Sequence, residues 1–251
     1  MKYIFKMLIC CGVGLFALTG CSNPSVCHDI SNGVMYAHYT SGKMEIDGML
    51  NEPVWVNAQA YPMYLCCDRV TKQRKLEKGG CVKLSWDDEN LYVAVLFKDS
   101  DIVAKGKEDN LAHFTLGDVC ELFLKPSWQS WYWEMYATPL SKKTCYFLKK
   151  HRDKPQIVTD IDLQVAAVNY GSVNYSGDVD EAFCAEMAVP LKQLWRGKKE
   201  KFSKAQWNIL IGRYNYSEYL IHENPEYSSS PELSKTDYHL LGEYARLRMV
   251  K

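Results

Sequence analysis

Neither sign of charge predominates in this sequence. Lysine plus arginine and aspartate plus glutamate each number 30, so the formal net charge is zero. A nucleic-acid-binding surface requires a basic excess, which this composition lacks. We therefore expect no nucleic-acid partner.

The sequence also lacks a long apolar run near its start. The run Met7–Leu18 has 12 residues, fewer than the roughly 20 that a membrane-spanning helix needs. It follows the basic residues Lys2 and Lys6 and ends in the tetrapeptide Leu18–Cys21, an arrangement typical of a secretory signal peptide. The tetrapeptide, Leu-Thr-Gly-Cys, resembles the lipobox of bacterial lipoproteins.

This resemblance implies cleavage before Cys21 and attachment of lipid to Cys21. It predicts a signal peptide at residues 1–20, a tether at 21–33 and a folded domain at 34–251. The protein would then be lipid-anchored in the cell envelope, at the outer membrane or the periplasmic face of a Gram-negative bacterium. The alternative is an ordinary signal peptide or a short membrane anchor.

Paired cysteine motifs are absent as well. The chain has 10 cysteines but no Cys-x-x-Cys pair, so a zinc site has little support. Removal of Cys10 and Cys11 with the signal, and lipidation of Cys21, would leave an odd number that cannot all form disulfides. Cys120 and Cys184 lie in strand-like runs and are interpreted as small core residues.

No long helical pattern and no internal repeat occurs. Short segments instead alternate apolar and other residues, most clearly on both sides of the turn Asp87–Asn90 in the stretch Cys81–Asp101. The second strand of this hairpin is apolar on both faces and is predicted to be central. About ten such strands with only short helical turns predict an all-β, two-sheet antiparallel sandwich of the jelly-roll or immunoglobulin-like kind.

Two later strands place polar side chains on one surface. With a period of two, Glu121 faces the side opposite to Cys120, and Glu134, Tyr136 and Thr138 face one side of the following strand. If these strands pair, the acids share a surface with Tyr136. The segment from residue 223 to residue 236 is interpreted as a loop.

Several motifs together resemble family 9 carbohydrate-binding modules. The segments that carry the resemblance, in chain order, are Ile46–Trp55, Trp86–Val93, Gly117–Leu124, Glu186–Pro190, Trp207–Arg213 and Tyr238–Leu247. Each is weak alone, whereas their order and spacing over most of the chain are fairly specific. The resemblance implies a sandwich of the DOMON-like group, a sugar ligand and, in some members, structural Ca²⁺, with metal ligands that it does not assign here.

The resemblance also suggests site residues. It places Glu121, Glu134, Tyr136 and Thr138 at polar ligand positions, where ionised acids would accept charge-assisted hydrogen bonds from sugar hydroxyls. Arg213 is expected nearby, either as a further donor to the sugar or as an ion-pair partner of an acid.

The two ring-stacking positions of the family fall on Thr115 and Ser228, neither of which is aromatic. The adjacent residues Phe114 and Tyr227 are the candidates for these roles if the register differs by one.

The leading hypothesis is non-catalytic binding of an oligo- or polysaccharide by a membrane-tethered lipoprotein, which assists glycan capture or breakdown with glycan-degrading enzymes as partners. One alternative is a glycoside-processing enzyme with Glu121 and Glu134 as paired carboxyls. Another is a haem-binding DOMON-like domain with axial ligands such as His113 and Met135. The last is a structural or assembly lipoprotein that has kept the fold and lost the ligand.

Overall fold

The computed structural model describes residues 30, 33–66, 75–196, 206–219 and 224–251. The expected signal peptide, Cys21 and nearly all of the expected tether lie outside these residues. Within the described ranges, no helix is both long enough and apolar enough to cross a membrane.

The described residues form strands joined by short turns, as the alternating pattern predicted. In chain order the strands are β1 (Val34–Tyr39), β2 (Ala60–Pro62), β3 (Tyr64–Leu65), β4 (Gly80–Trp86), β5 (Asn90–Lys98), β6 (Val119–Pro126), β7 (Tyr132–Ala137), β8 (Lys143–Leu148), β9 (Gln156–Ile157), β10 (Gln164–Tyr170), β11 (Ala182–Pro190), β12 (Trp207–Asn215), β13 (Glu226–Ser230) and β14 (Ala245–Val250). The helical elements are α1 (Pro53–Asn57) and three 3-10 turns at His113–Thr115, Leu191–Leu194 and Leu241–Glu243.

The strands form one curled sheet that closes on itself as a sandwich. Its order is β10-β11-β5-β4-β1-β14-β12-β6-β7-β8-β9. The first half contains β10, β11, β5 and β4, and the second half contains β12, β6, β7, β8 and β9. Since β7 contacts β10 and β11, the two halves lie face to face. The predicted β-sandwich is confirmed.

One feature of the topology differs from the antiparallel prediction. Strand β1 pairs in parallel with both β4 and β14 and so joins the two halves into a continuous sheet. Its partners begin 46 and 211 positions further along the chain, and alternation within a strand carries no information about so distant a partner.

The main core lies between the halves. Strand β5 is buried on both sides, as expected of a central strand: Val93 and Phe97 enter the main core, whereas Tyr92 and Ala94 pack under α1 and the segment before it. Cys120 and Cys184 are buried, as predicted, and no disulfide links the described cysteines.

Strands β6 and β7 present a second apolar cluster on the outer face of the second half. Cys120 and Met135 point into the main core, whereas Val119, Phe123 and Tyr136 point outward. The period-two assignment of faces is therefore confirmed. The expected loop from residue 223 to residue 236 is wrong in part, because β13 pairs with β12 and β3.

Candidate functional site

A pocket of about 360 Å³ opens on the outer face of the second half. We call it the outer pocket. Its lining residues come from β6, β7 and β12, from the turn before β6, and from the segments around residues 152 and 237: Phe114, Glu121, Glu134, Tyr136, Arg152, Tyr214, Lys235, Thr236, Asp237, Tyr238 and His239.

Strand register brings together three polar side chains at the base of the pocket, Glu121, Glu134 and Tyr136. We call them the floor. Glu121 lies directly opposite Tyr136 across the β6–β7 pair, and Glu134 lies opposite Phe123, two positions away on the same face. The Tyr136 hydroxyl donates a hydrogen bond to Glu134 Oε1. Three of the residues singled out in the sequence therefore meet in one pocket.

Burial controls the ionisation of the two floor acids. Only 2% of Glu121 and 7% of Glu134 is exposed. Desolvation raises the pKa of Glu134 to about 7, against the bond from Tyr136 that lowers it. Desolvation and then the neighbouring Glu134 charge hold the pKa of Glu121 well above its ordinary value.

The raised pKa values of both acids weigh against the expectation of two charged acceptors. Burial favours the protonated form of Glu121, and a protonated carboxyl donates one hydrogen bond and accepts others. Vicinal sugar hydroxyls also both donate and accept, so a neutral acid suits them. Among the described residues, neither Glu121 nor Glu134 forms an ion pair.

Aromatic rings around Phe114 form one side of the pocket, which we call the aromatic wall. The Phe114 ring is partly exposed and lies 6.3 Å from the Tyr136 ring and 5.8 Å from the Tyr214 ring, measured between centroids. Thr115 beside it is exposed and does not line the pocket. The ring that lines the pocket is therefore Phe114, one residue from Thr115.

Tyr227 packs against Tyr214 and does not itself line the pocket. Its ring centroid is 5.0 Å from that of Tyr214, which does line the pocket. Ser228, the other aligned position, is 1% exposed. A ligand in the outer pocket would thus meet Tyr214 before Tyr227.

The segment from Lys235 to His239 closes the pocket from above. The Tyr238 ring packs against Gly212, where a Cβ atom would come within 2.7 Å of it. The Tyr238 hydroxyl reaches the carbonyl oxygens of Arg213 at 2.6 Å and Ser228 at 2.8 Å and so fixes the segment to β12 and β13. Only a glycine permits this close approach.

Two polar pairs complete the rim. Arg152 donates to Asp237 at 2.6 Å, and the Tyr132 hydroxyl is 2.9 Å from His239 Nδ1. Residue-level reasoning missed Tyr214, Tyr238 and the rim residues, although Tyr238–Leu247 carried part of the family resemblance. A glycine inside the apolar strand β12 was an available signal for a ring packed upon it.

Arg213 and Thr138 are not brought to the pocket. Arg213 alternates with Gly212 and Tyr214, so its side chain points inward, where it pairs with Asp99 at 2.8 Å rather than with either floor acid. The Thr138 hydroxyl accepts a bond from the Lys142 amide at 3.0 Å, within a turn.

The geometry does not favour the haem alternative. Both ring nitrogens of His113 are engaged, Nδ1 with the Thr144 hydroxyl at 2.8 Å and Nε2 with the Glu108 carbonyl oxygen at 3.0 Å. Met135 points into the main core, on the other face of the sheet. The two side chains cannot hold one iron without rearrangement of β7.

A set of side chains able to hold a metal ion lies away from this pocket. Within the described ranges, the group of three or more suitable ligands consists of Asp47, Glu52 and Glu186. All three belong to the region of β11 and the segment before α1, on the first half of the sandwich.

Known proteins share this architecture. The family model described as "Carbohydrate family 9 binding domain-like" matches residues 46–205. A Bacteroides uniformis protein, proposed to bind carbohydrate, superposes with a TM-score of 0.62 at 9% identity, covering 86% of this chain and 98% of its own. A search of curated proteins found no match to the chain.

Two structures of a family 9 module from Caldicellulosiruptor kristjanssonii are also similar, each at 12% identity and covering 86% of this chain. The complex with cellotriose superposes with a TM-score of 0.52 over 93% of its chain. The complex with glucose gives 0.51 over 94%. At these identities the likeness establishes the shared fold.

Proposed function

The chain belongs to the carbohydrate family 9 binding domain-like family, and from this premise we propose that it binds carbohydrate in the outer pocket without catalysis. The observation that carries the proposal is the meeting of two buried acids, Glu121 and Glu134, with the partly exposed ring of Phe114 in one cavity.

The chemistry of the pocket suits a sugar. One face of a pyranose ring is apolar and packs on aromatic rings such as those of Phe114 and Tyr214. Its hydroxyls need both donors and acceptors, which the Glu121, Glu134 and Tyr136 side chains supply. A volume of about 360 Å³ lies near the lower end of small-molecule sites, which are roughly 300–1,000 Å³, and fits a short or terminal segment of a glycan.

The placement of the acids favours binding over hydrolysis. A glycosidase needs carboxyls that flank the scissile bond. Glu121 and Glu134 instead lie diagonally on adjacent strands of one floor, and Glu134 is already bonded to Tyr136. Both would contact the same side of a bound sugar.

Phe114 and Thr115 provide the test. We expect Phe114→Ala to weaken binding of glucose or cellotriose by about 5- to 30-fold, equivalent to about 1–2 kcal/mol for a lost ring contact. Thr115→Ala, one residue away and exposed, should leave the dissociation constant unchanged. Titration calorimetry on both variants, with wild type, measures these constants.

A melting curve for each variant separates loss of contact from loss of fold. Glucose and cellotriose are the first ligands because they occupy the structurally similar modules. If both variants bind as wild type does, the aromatic wall is not the sugar platform. Release of shorter products from cellotriose would instead support the enzyme alternative.

We further propose that Cys21 tethers this domain to a membrane of the cell envelope, where it would assist glycan capture beside degrading enzymes. The support is the tetrapeptide Leu18–Cys21 after an apolar run. Cys21→Ala should abolish labelling by palmitate and move the protein from the membrane fraction to the soluble fraction, because multiple acyl chains are what hold such an anchor. Continued labelling of the variant would contradict the assignment.

A further inference from the structure

A second pocket, of about 260 Å³, lies beside the outer pocket. It is formed by the residues after β5, the loop between β10 and β11, and the segment that follows β12, and we call it the side pocket. The groups available to a ligand there come from Asp101, Lys105, Tyr216, Ser217 and Glu218. Small-molecule sites measure roughly 300–1,000 Å³, so the side pocket has the size of one part of a site.

One short turn separates the two pockets. The 3-10 turn His113–Thr115 carries Phe114, whose ring lines the outer pocket, and the Tyr216 hydroxyl donates a hydrogen bond to the Phe114 carbonyl oxygen at 2.6 Å. Tyr214 lines the outer pocket and Tyr216 the side pocket. Two residues of extended chain span about 7 Å, so the pockets are close enough for one oligosaccharide to enter both.

Asp101 is the buried polar residue of the side pocket. Only 2% of it is exposed, and its Oδ2 accepts a hydrogen bond from the Glu218 amide at 2.7 Å. Among the described residues, nothing donates to Oδ1. A buried carboxylate oxygen is costly unless a donor reaches it, and in native proteins the protein, water or a ligand supplies that donor. Asp101 therefore presents an acceptor to a ligand that enters the pocket.

Lys105 and Glu218 lie at the mouth of the side pocket. Both are exposed, and within the described ranges neither forms an ion pair. A lysine ammonium only donates hydrogen bonds and an ionised carboxylate only accepts them, whereas a sugar hydroxyl does both. Together with Asp101, these two side chains match adjacent hydroxyls of a sugar unit.

Hydrogen bonds hold the walls of the side pocket in place. The Asn174 amide donates to the Ala104 carbonyl oxygen at 2.7 Å, and the Asn174 side-chain oxygen accepts a bond from the Ala104 amide at 2.8 Å. The Tyr219 hydroxyl donates to the Ser176 carbonyl oxygen at 2.5 Å. These bonds join the loop between β10 and β11 to the segments after β5 and after β12. A site fixed in this way loses little conformational entropy when a ligand binds.

We propose that the side pocket binds further units of a neutral glycan whose end occupies the outer pocket. This extension rests on the proposed function, since it requires a sugar in the outer pocket. The partly exposed Tyr216 ring offers an apolar surface to a pyranose ring. Two acids and one base line the side pocket, which favours a neutral sugar over a uronic acid, because a further carboxylate would be repelled.

Dissociation constants for a single sugar and for a longer chain test the extension. Glucose fits the outer pocket alone, whereas cellohexaose reaches both pockets. We therefore expect wild type to bind cellohexaose about 10-fold more tightly than glucose, the gain that one or two additional hydrogen bonds provide. Lys105→Ala should reduce this ratio to about 3-fold, because one donor is lost, and should not change glucose binding, since Lys105 does not line the outer pocket. Titration calorimetry measures both constants.

Lys107→Ala is the matched control and should keep the wild-type ratio, because Lys107 is exposed, lies two positions further along and does not line the side pocket. Asp101→Asn still offers an oxygen to the Glu218 amide and should also lower the ratio, and a melting curve shows that the variant is folded. Failure of wild type to bind either sugar would contradict the proposed function and the extension together. Glucose binding with no gain for cellohexaose, or an undiminished gain in Lys105→Ala and Asp101→Asn alike, would overturn the extension alone.

Discussion

Replacement of Arg213 by methionine is expected to lower the free energy of unfolding by about 3–5 kcal/mol, because it leaves the Asp99 carboxylate buried without its partner. Neither side chain is exposed, and the two are 2.8 Å apart. Burial raises the pKa of Asp99, and Arg213, more than the backbone bonds from Asp101 and Ser100, favours its charged form. Urea unfolding at pH 7 measures the loss.

The position of this pair explains the size of the effect. Asp99 follows β5 in the first half and Arg213 lies in β12 of the second, so the bond crosses the core. The guanidinium also lies 4.8 Å from the centroid of the Phe97 ring. Removal of Arg213 therefore weakens the attachment of one half of the sandwich to the other.

Two further variants control this experiment. Lys43→Met breaks an ion pair whose side chains are 82% and 64% exposed, and should leave the free energy of unfolding nearly unchanged. The double variant Arg213→Met with Asp99→Leu should recover much of the lost stability, because no buried charge then remains unpaired. Equal losses for Arg213→Met and Lys43→Met would show that the buried pair is not needed.

The second large effect concerns pH and the floor of the outer pocket. Burial raises the pKa of Glu134 from its ordinary 4.5 to about 7, so the folded state binds this proton more tightly than the unfolded state does. The stability that protonation provides is complete below about pH 4.5 and is lost as pH rises through 7. A difference of this size amounts to about 3 kcal/mol.

Glu134→Gln isolates this contribution. Glutamine still offers an oxygen to the Tyr136 hydroxyl but carries no titrating proton. Between pH 4.5 and pH 7, the free energy of unfolding of the variant should therefore fall less than that of wild type, and above pH 7 the ligand-free variant should be the more stable protein. Parallel curves for the two proteins would mean that burial of Glu134 does not perturb its ionisation. Glu121 titrates in the same direction, and its pKa should be raised less in the variant because the neighbouring Glu134 charge is gone, which adds to the same difference.

The cost of these acids fits a binding site. Arg152 and Lys235 line the outer pocket, but both are paired with Asp237, so among the described residues neither of these basic side chains forms an ion pair with Glu121 or Glu134. Natural proteins lose stability in this way where function requires unpaired polar groups. We expect a bound sugar to recover part of this stability, through hydrogen bonds to the floor.

Local pattern was sufficient for most strands and their faces, although it missed β13. The alternation in β6 and β7 placed Glu121, Glu134 and Tyr136 together, because successive side chains of a strand point to opposite sides regardless of what packs on them. The run β4–β5 was recognised as a central hairpin for the same reason. Phe114 was also accessible as a pocket residue, since it is adjacent to Thr115.

The sequence by itself thus determined the sandwich, its central hairpin and the polar surface of β6 and β7. Only the tertiary structure decided that Arg213 faces inward to Asp99, that Tyr238 covers Gly212, and that Glu52 meets Glu186. The physical reason is that alternation is a property of a few consecutive residues. These contacts instead join segments far apart in the chain, and they depend on how the whole sheet curls and closes.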